Sequence, residues 1–136
     1  MASQLKVDTI TGVTTAGSIA VTGEGNSTTT NLQQGLAKAW VNFDGDASGI
    51  AIRDSFNVSG NTDNGTGDYT ITFSNAMSNG SYSLTGAGEA GGGSSVMALA
   101  VNDTGGLTTA SARIFTKTGN PADSNVVTST INGDLA

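Results

Sequence analysis

The sequence predicts an all-β protein: an antiparallel, jelly-roll-like β-sandwich over residues 37–136, preceded by an extended N-terminal arm over residues 1–36. Three observations carry this. Apolar and threonine residues alternate in short runs, the period of strands with one buried face. Clusters of Gly, Asn and Asp break the runs at even spacing, as turns of a sandwich do. The first 36 residues hold extended segments but too few apolar side chains to build a core of their own.

In chain order, Leu5-Lys6-Val7-Asp8-Thr9-Ile10 and Ser18-Ile19-Ala20-Val21-Thr22 read as short extended pieces, and Gly23 to Asn31 carries no apolar residue. The arm's apolar side chains, Leu5, Val7, Ile10, Ile19 and Val21, are therefore expected to dock on a partner surface. Leu32, Leu36 and Ala37 have the spacing of one or two helical turns, weakened by Gly35. Trp40 to Phe43 reads as the first strand of the sandwich, with Trp40 as a core anchor. A turn over Asp44 to Gly49 leads into a strand from Ile50 to Val58, and Gly60 to Gly67 is dense in turn formers.

Asp68 to Phe73 alternates most cleanly, with Tyr69, Ile71 and Phe73 on one face and Thr70, Thr72 and Ser74 on the other. Asn79-Gly80 is a hairpin signal before a strand from Ser81 to Thr85. Glycines 86, 88 and 91–93 read as a flexible loop. Strands from Ser95 to Val101 and Leu107 to Lys117 follow, and a last one, Val126 to Ile131, comes after the only proline, Pro121.

Composition bounds the function. Only 36% of the residues are apolar, the aromatic set is four Phe, two Tyr and one Trp, and Gly accounts for 20 of 136 positions. Charged residues are 12% and the net charge is −6, which argues against disorder, since disordered chains combine low hydrophobicity with high charge. A core this thin points to association with identical chains as a supplement. There is no cysteine and no histidine, so thiolate chemistry, disulfides and imidazole bases or ligands are excluded. Five scattered basic residues (Lys6, Lys38, Arg53, Arg113, Lys117) form no patch for a phosphate backbone, so no nucleic-acid partner is expected. No membrane association is expected either, because no apolar run approaches the roughly 20 residues a spanning helix needs.

Few residues are arranged for chemistry. Asp44-x-Asp46-x-Ser48-Gly49 matches the opening of a calcium loop, but the twelfth position, which should bring a bidentate carboxylate, is Ser55. Asp63, Asn64 and Asp68 form a second acidic turn that turn chemistry explains without an ion. Neither is expected to bind metal. No Ser-x-x-Lys spacing offers a nucleophile, and the glycine run 91–93 lacks the Lys-Ser/Thr ending of a phosphate loop. The expectation is a protein that is not an enzyme, with no cofactor.

Arg53-Asp54 is the one conspicuous polar pair. Strict alternation from Ile50 to Val58 places Asp54 among Ile50, Ile52, Phe56 and Val58, where an unpaired carboxylate is costly. Either a β-bulge turns it outward, or backbone amides or an arginine, Arg53 or Arg113, satisfy it. Arg53 and Asp54 are thus assigned a structural role, as is Trp40.

Several blocks resemble small virion structural and fibre-like proteins of tailed phages of marine bacteria, of the cyanophage and pelagiphage kind. These are the opening Leu5 to Ile10, Gly35 to Gly45, Ala51 to Val58, Asp63 to Thr70 and Phe73 to Met77. The resemblance covers roughly residues 1–85 and brings no catalytic residues with it. It implies a virion location and a homotrimeric head fibre or capsid decoration protein, anchored through its arm to other virion proteins, in particular the major capsid protein. The alternative it implies is a tail fibre or tail-tip component touching the host surface, with a host glycan as partner.

Overall fold

The computed structural model describes residues 4–12, 19–23, 27–46, 49–89 and 96–136, with backbone alone at 96 and 97. The chain divides into two compact units, Met1–Leu36 and Ala37–Ala136.

In the first unit, β1 (Ala20–Thr22) pairs antiparallel with β2 (Thr29–Asn31), with Val21 opposite Thr30. A single turn, α1 (Leu32–Gly35), follows directly. Asn31 caps it by accepting from the Gln34 amide at 3.1 Å, which satisfies one of the open N–H groups of the first turn. No residue of α1 is buried.

The second unit is an antiparallel β-sandwich. Its strands are β3 (Ala39–Asp44), β4 (Ala51–Phe56), β5 (Val58–Gly65), β6 (Asp68–Phe73), β7 (Ser83–Glu89), β8 (Val96–Val101), β9 (Ser111–Lys117) and β10 (Val127–Asn132). They run in the order β4-β3-β10-β7-β8-β9-β6-β5. The β7–β8 step is joined by only two residue pairs, Gly88 with Met97 and Glu89 with Val96, and here the ladder folds over into two four-stranded layers. The eight strands exceed the six or seven that the spacing of apolar runs suggests, because Gly60 to Gly65 is strand and not turn; β3–β4 and β5–β6 are sequence-adjacent pairs.

Alternation builds the core. In β3, β6, β9 and β10 every second side chain points inward: Ala39, Val41, Phe43; Tyr69, Ile71, Phe73; Ala112, Ile114, Thr116; Val127, Ser129, Ile131. The layers meet through aromatic edges, Phe43 on Tyr69 at 5.1 Å between ring centroids and Phe73 on Tyr82 at 5.8 Å. Burial pushes both tyrosine hydroxyls up to about 12; for Tyr69 the nearby Asp123 carboxylate adds to it.

Four sequence expectations are corrected. The strand read as Ile50 to Val58 breaks at Asn57, which takes a left-handed conformation (φ 55°) and turns the chain from one layer to the other. Asn tolerates this region because its short side chain hydrogen-bonds locally. The segment read as turn from Gly60 to Gly67 is mostly strand β5, paired along β6, with the turn confined to the last two residues. Asn79-Gly80 makes no hairpin, since β6 and β7 lie in different layers; it sits in the connection between them, where Asn79 accepts from the Ser81 amide. Gly86 and Gly88 lie within β7 rather than in a loop. A Cβ at Gly86 would run into the Thr128 carbonyl and the Leu99 side chain, so strand packing requires glycine there. Glycines 91–93 and the start of the strand read from Ser95 lie outside the described residues.

Candidate functional site

In the first unit the predicted docking residues are open to solvent. Leu5 is 82% exposed, and Val7, Ile10 and Val21 are each more than half exposed, while Ile19 is intermediate. Val21 lies on a three-residue strand, and among the described residues of this unit the only strand pairing is β1 with β2, too small to form a core alone.

In the sandwich, Trp40 is not the core anchor expected. Ala39, Val41 and Phe43 take the inward phase of β3, so Trp40, between them, lies on the outer face, half-buried. Its cross-strand partners are Phe56 on β4 and Thr130 on β10. One pleat along, Asn42 faces Asp54 and Thr128. Phe56 is 52% exposed.

A β-bulge decides the fate of Asp54. The register of β3 against β4 shifts so that Asn42 pairs with Asp54 but Phe43 pairs with Ile52, which makes Arg53 the extra residue. One inserted residue inverts the phase of everything beyond it. Ile52 therefore shares the inner side with Ser55, while Asp54 and Phe56 turn out beside Asn42 and Trp40. β4 is an edge strand, exposed along nearly its whole length, so the apolar surroundings expected around Asp54 do not form. Its Oδ1 accepts from the Ser55 amide at 2.8 Å, and neither arginine pairs with it.

The arginines are engaged elsewhere. Arg53 reaches Asp44 at 2.9 Å, the Phe43 carbonyl at 3.2 Å and Asn42 Oδ1 at 3.4 Å. Arg113 grips Asp68 with two bonds, Nε to Oδ1 at 3.0 Å and Nη2 to Oδ2 at 2.7 Å. The fork geometry suits a diagonal neighbour, since Asp68 stands opposite Phe115, two residues along β9. The carboxylate raises the Arg113 pKa further by hydrogen bonding, and the guanidinium is charged at any working pH.

The acidic turns are occupied by their own backbone. Asp44 Oδ1 takes the Asp46 amide and its Oδ2 takes Arg53; Asp63 takes the Gly65 amide; Asn64 donates to Thr70. Ser48, third ligand of the calcium-like opening, lies outside the described residues. No cluster of three or more acidic side chains able to hold an ion occurs among the described residues. Among them, too, no helix is long and apolar enough to cross a membrane.

Sequence reasoning missed two polar centres. Asn57 Nδ2 donates to the carbonyls of Lys38 (2.9 Å) and Asn75 (3.1 Å), and its Oδ1 accepts from the Asn75 amide (2.7 Å), so one side chain ties the β4–β5 corner to both layers. Asp123 accepts from the Gly67 amide at 2.7 Å and lies 3.1 Å from the Tyr69 hydroxyl, which is equally far from the Gly45 carbonyl. Gly45 is held against that ring, and a Cβ there would overlap the phenol. The only sequence signal for Asn57 is an Asn inside an otherwise alternating run; Asp123 carries none.

These features define an all-β sandwich preceded by an N-terminal unit with exposed apolar side chains. No family model, curated protein or solved structure matches the chain.

Proposed function

We propose that this chain is a structural protein of a tailed-phage particle, a homotrimeric head fibre or capsid decoration protein held on the major capsid protein by residues 1–36. The observation that carries the proposal is the apolar set Leu5, Val7, Ile10 and Val21, exposed on a unit whose described strands are one short pair. The sandwich buries its inward apolar side chains in a core of its own. Apolar side chains left in water at this density gain by burial on another protein, about 1.5–3 kcal/mol for each one fully covered. The resemblance of residues 1–85 to phage virion proteins supports the same reading.

Both edges of the sandwich favour contact through faces or through the arm rather than strand-to-strand growth. β4 carries a bulge and the charges Arg53 and Asp54, and β5 carries two register shifts; such devices block open-ended edge pairing. A closed trimer fits that requirement. A second reading, a tail fibre or tail-tip component, draws on the exposed Phe56 and the partly buried Trp40 that pair on the outer face.

Electron microscopy of particles carrying a labelled copy of the protein tests the proposal. Label spread over the head supports decoration, label confined to the tail supports the second reading, and particles without label refute both. Light scattering of the purified protein should give three times 13.4 kDa; a monomer at high concentration removes the trimer.

A further inference from the structure

We infer that the outer face of the β4-β3-β10-β7 layer is a binding platform for a neutral cell-surface polysaccharide, with Trp40 and Phe56 stacking on a sugar ring and Asn42, Asp54, Thr128 and Thr130 bonding its hydroxyls. The register places these side chains in two parallel rows. Phe56, Trp40, Thr130 and Thr85 stand side by side across four strands, and Asp54, Asn42, Thr128 and Ala87 form the next row. Directly opposed Cβ atoms lie about 4.5–5.5 Å apart, and the rows are separated by two residues, roughly 7 Å. One row thus offers flat apolar rings and the other hydrogen-bonding groups, at the scale of a single pyranose. A pyranose has this same division, with an apolar face of C–H groups and a rim of hydroxyls.

The polar row is held in place before any ligand arrives. Arg53 donates to Asn42 Oδ1, which leaves the amide nitrogen as the donor on the face. The Ser55 amide holds Asp54 Oδ1, which leaves Oδ2 as an acceptor. A fixed donor beside a fixed acceptor suits a hydroxyl, which needs both. Preorganised groups lose little entropy on binding.

Charge selects the class of glycan. Arg53 is neutralised by Asp44, so the face carries the uncompensated charge of Asp54, in a chain of net charge −6. Acidic polymers and phosphate groups are repelled, and a neutral sugar is not. The flat sheet surface also suits a polysaccharide lying across it. A peptide strand would need an open edge, and the β4 edge is bulged and charged.

The inference deepens the second reading above without depending on particle attachment. Binding is read on the purified protein and attachment on particles, so either can fail alone.

Trp40 is the only tryptophan, so its emission reports on this face directly. The test titrates the full chain with neutral hexasaccharides of glucan, mannan and xylan type, with an oligogalacturonate as the acidic comparison. A saturable blue shift with at least one neutral glycan is expected, with none from the acidic one. Phe56→Ala and the milder Asp54→Asn should each weaken it about tenfold or more. No shift with any neutral probe at millimolar concentration overturns the inference, as does a shift that both variants retain unchanged. A neutral glycan that binds should also reduce acrylamide quenching of Trp40; quenching left unchanged at saturation overturns the inference too.

Discussion

Val21 in β1 and Val41 in β3 are the same side chain in the same kind of strand, yet Val21 is exposed and Val41 buried. The difference lies in the neighbours. β1 has one strand partner among the described residues, β2, over three residue pairs. β3 lies between β4 and β10, and its inner side chains meet a second layer through Phe43 on Tyr69. A strand's apolar face contributes to stability only when another layer excludes water from it. The sandwich supplies that layer itself. The exposed Val21 in the N-terminal unit is the observation behind the proposed anchoring role.

The comparison can be broken by mutation. Phe43→Ala opens a cavity at the contact between layers and should cost about 3–5 kcal/mol, read as a fall in the urea midpoint. Ile10→Ala in the N-terminal unit should cost less than about 0.5 kcal/mol in the free protein. Equal effects would mean that the N-terminal unit has a core contribution of its own.

High pH should destabilise the sandwich specifically. Both buried tyrosines ionise near 10.0 when unfolded but only near 12 when folded. Between these values the unfolded chain has released protons that the folded chain retains, so stability falls as pH rises. Two units correspond to about 2–3 kcal/mol per ring. Denaturation midpoints across that window, with tyrosinate absorbance as the reporter, should show the loss, and Tyr82→Phe should remove its share. No loss of midpoint in the wild type would mean that the hydroxyls are accessible.

Asn57→Ala should cost about 2 kcal/mol, because it strands the Lys38 and Asn75 carbonyls and the Asn75 amide at the corner. Asn57→Gly should recover only the part due to the left-handed backbone. If both variants match the wild type in thermal melts, the corner is held by the strands alone. Asp54→Ala should change stability by less than about 0.5 kcal/mol, since the bulge already places the carboxylate in solvent. A loss of several kcal/mol would restore the buried pair.

Much of the sandwich was legible in the sequence, because alternation is a direct image of a one-sided strand. Tyr69, Ile71 and Phe73 point inward as the pattern requires, and Val127 to Ile131 does likewise. The failures share a cause. Alternation read through a bulge carries the wrong phase beyond it, so strict alternation puts Asp54 inside, and only the outward bulge, one of the alternatives left open, fits the register. A single left-handed Asn57 splits one apparent strand between two layers, and nothing local distinguishes it from an Asn in a turn. The second half of β7, from Gly86, reads as loop because the signal that makes it strand, the closeness of Leu99 and Thr128 to Gly86, comes from strands distant in sequence. Trp40 was assigned to the core by size, whereas its neighbours Ala39 and Val41 set the phase of β3.

The central claim is that residues 1–36 need a partner surface and the sandwich does not. Particle incorporation of the full chain against a chain lacking residues 2–36 tests it most directly, with near-ultraviolet dichroism of Trp40, Tyr69 and Tyr82 confirming that the truncated protein is folded. The account predicts a truncated protein with the same aromatic spectrum that is absent from purified particles. A folded, truncated protein that assembles at the copy number of the full chain would contradict it.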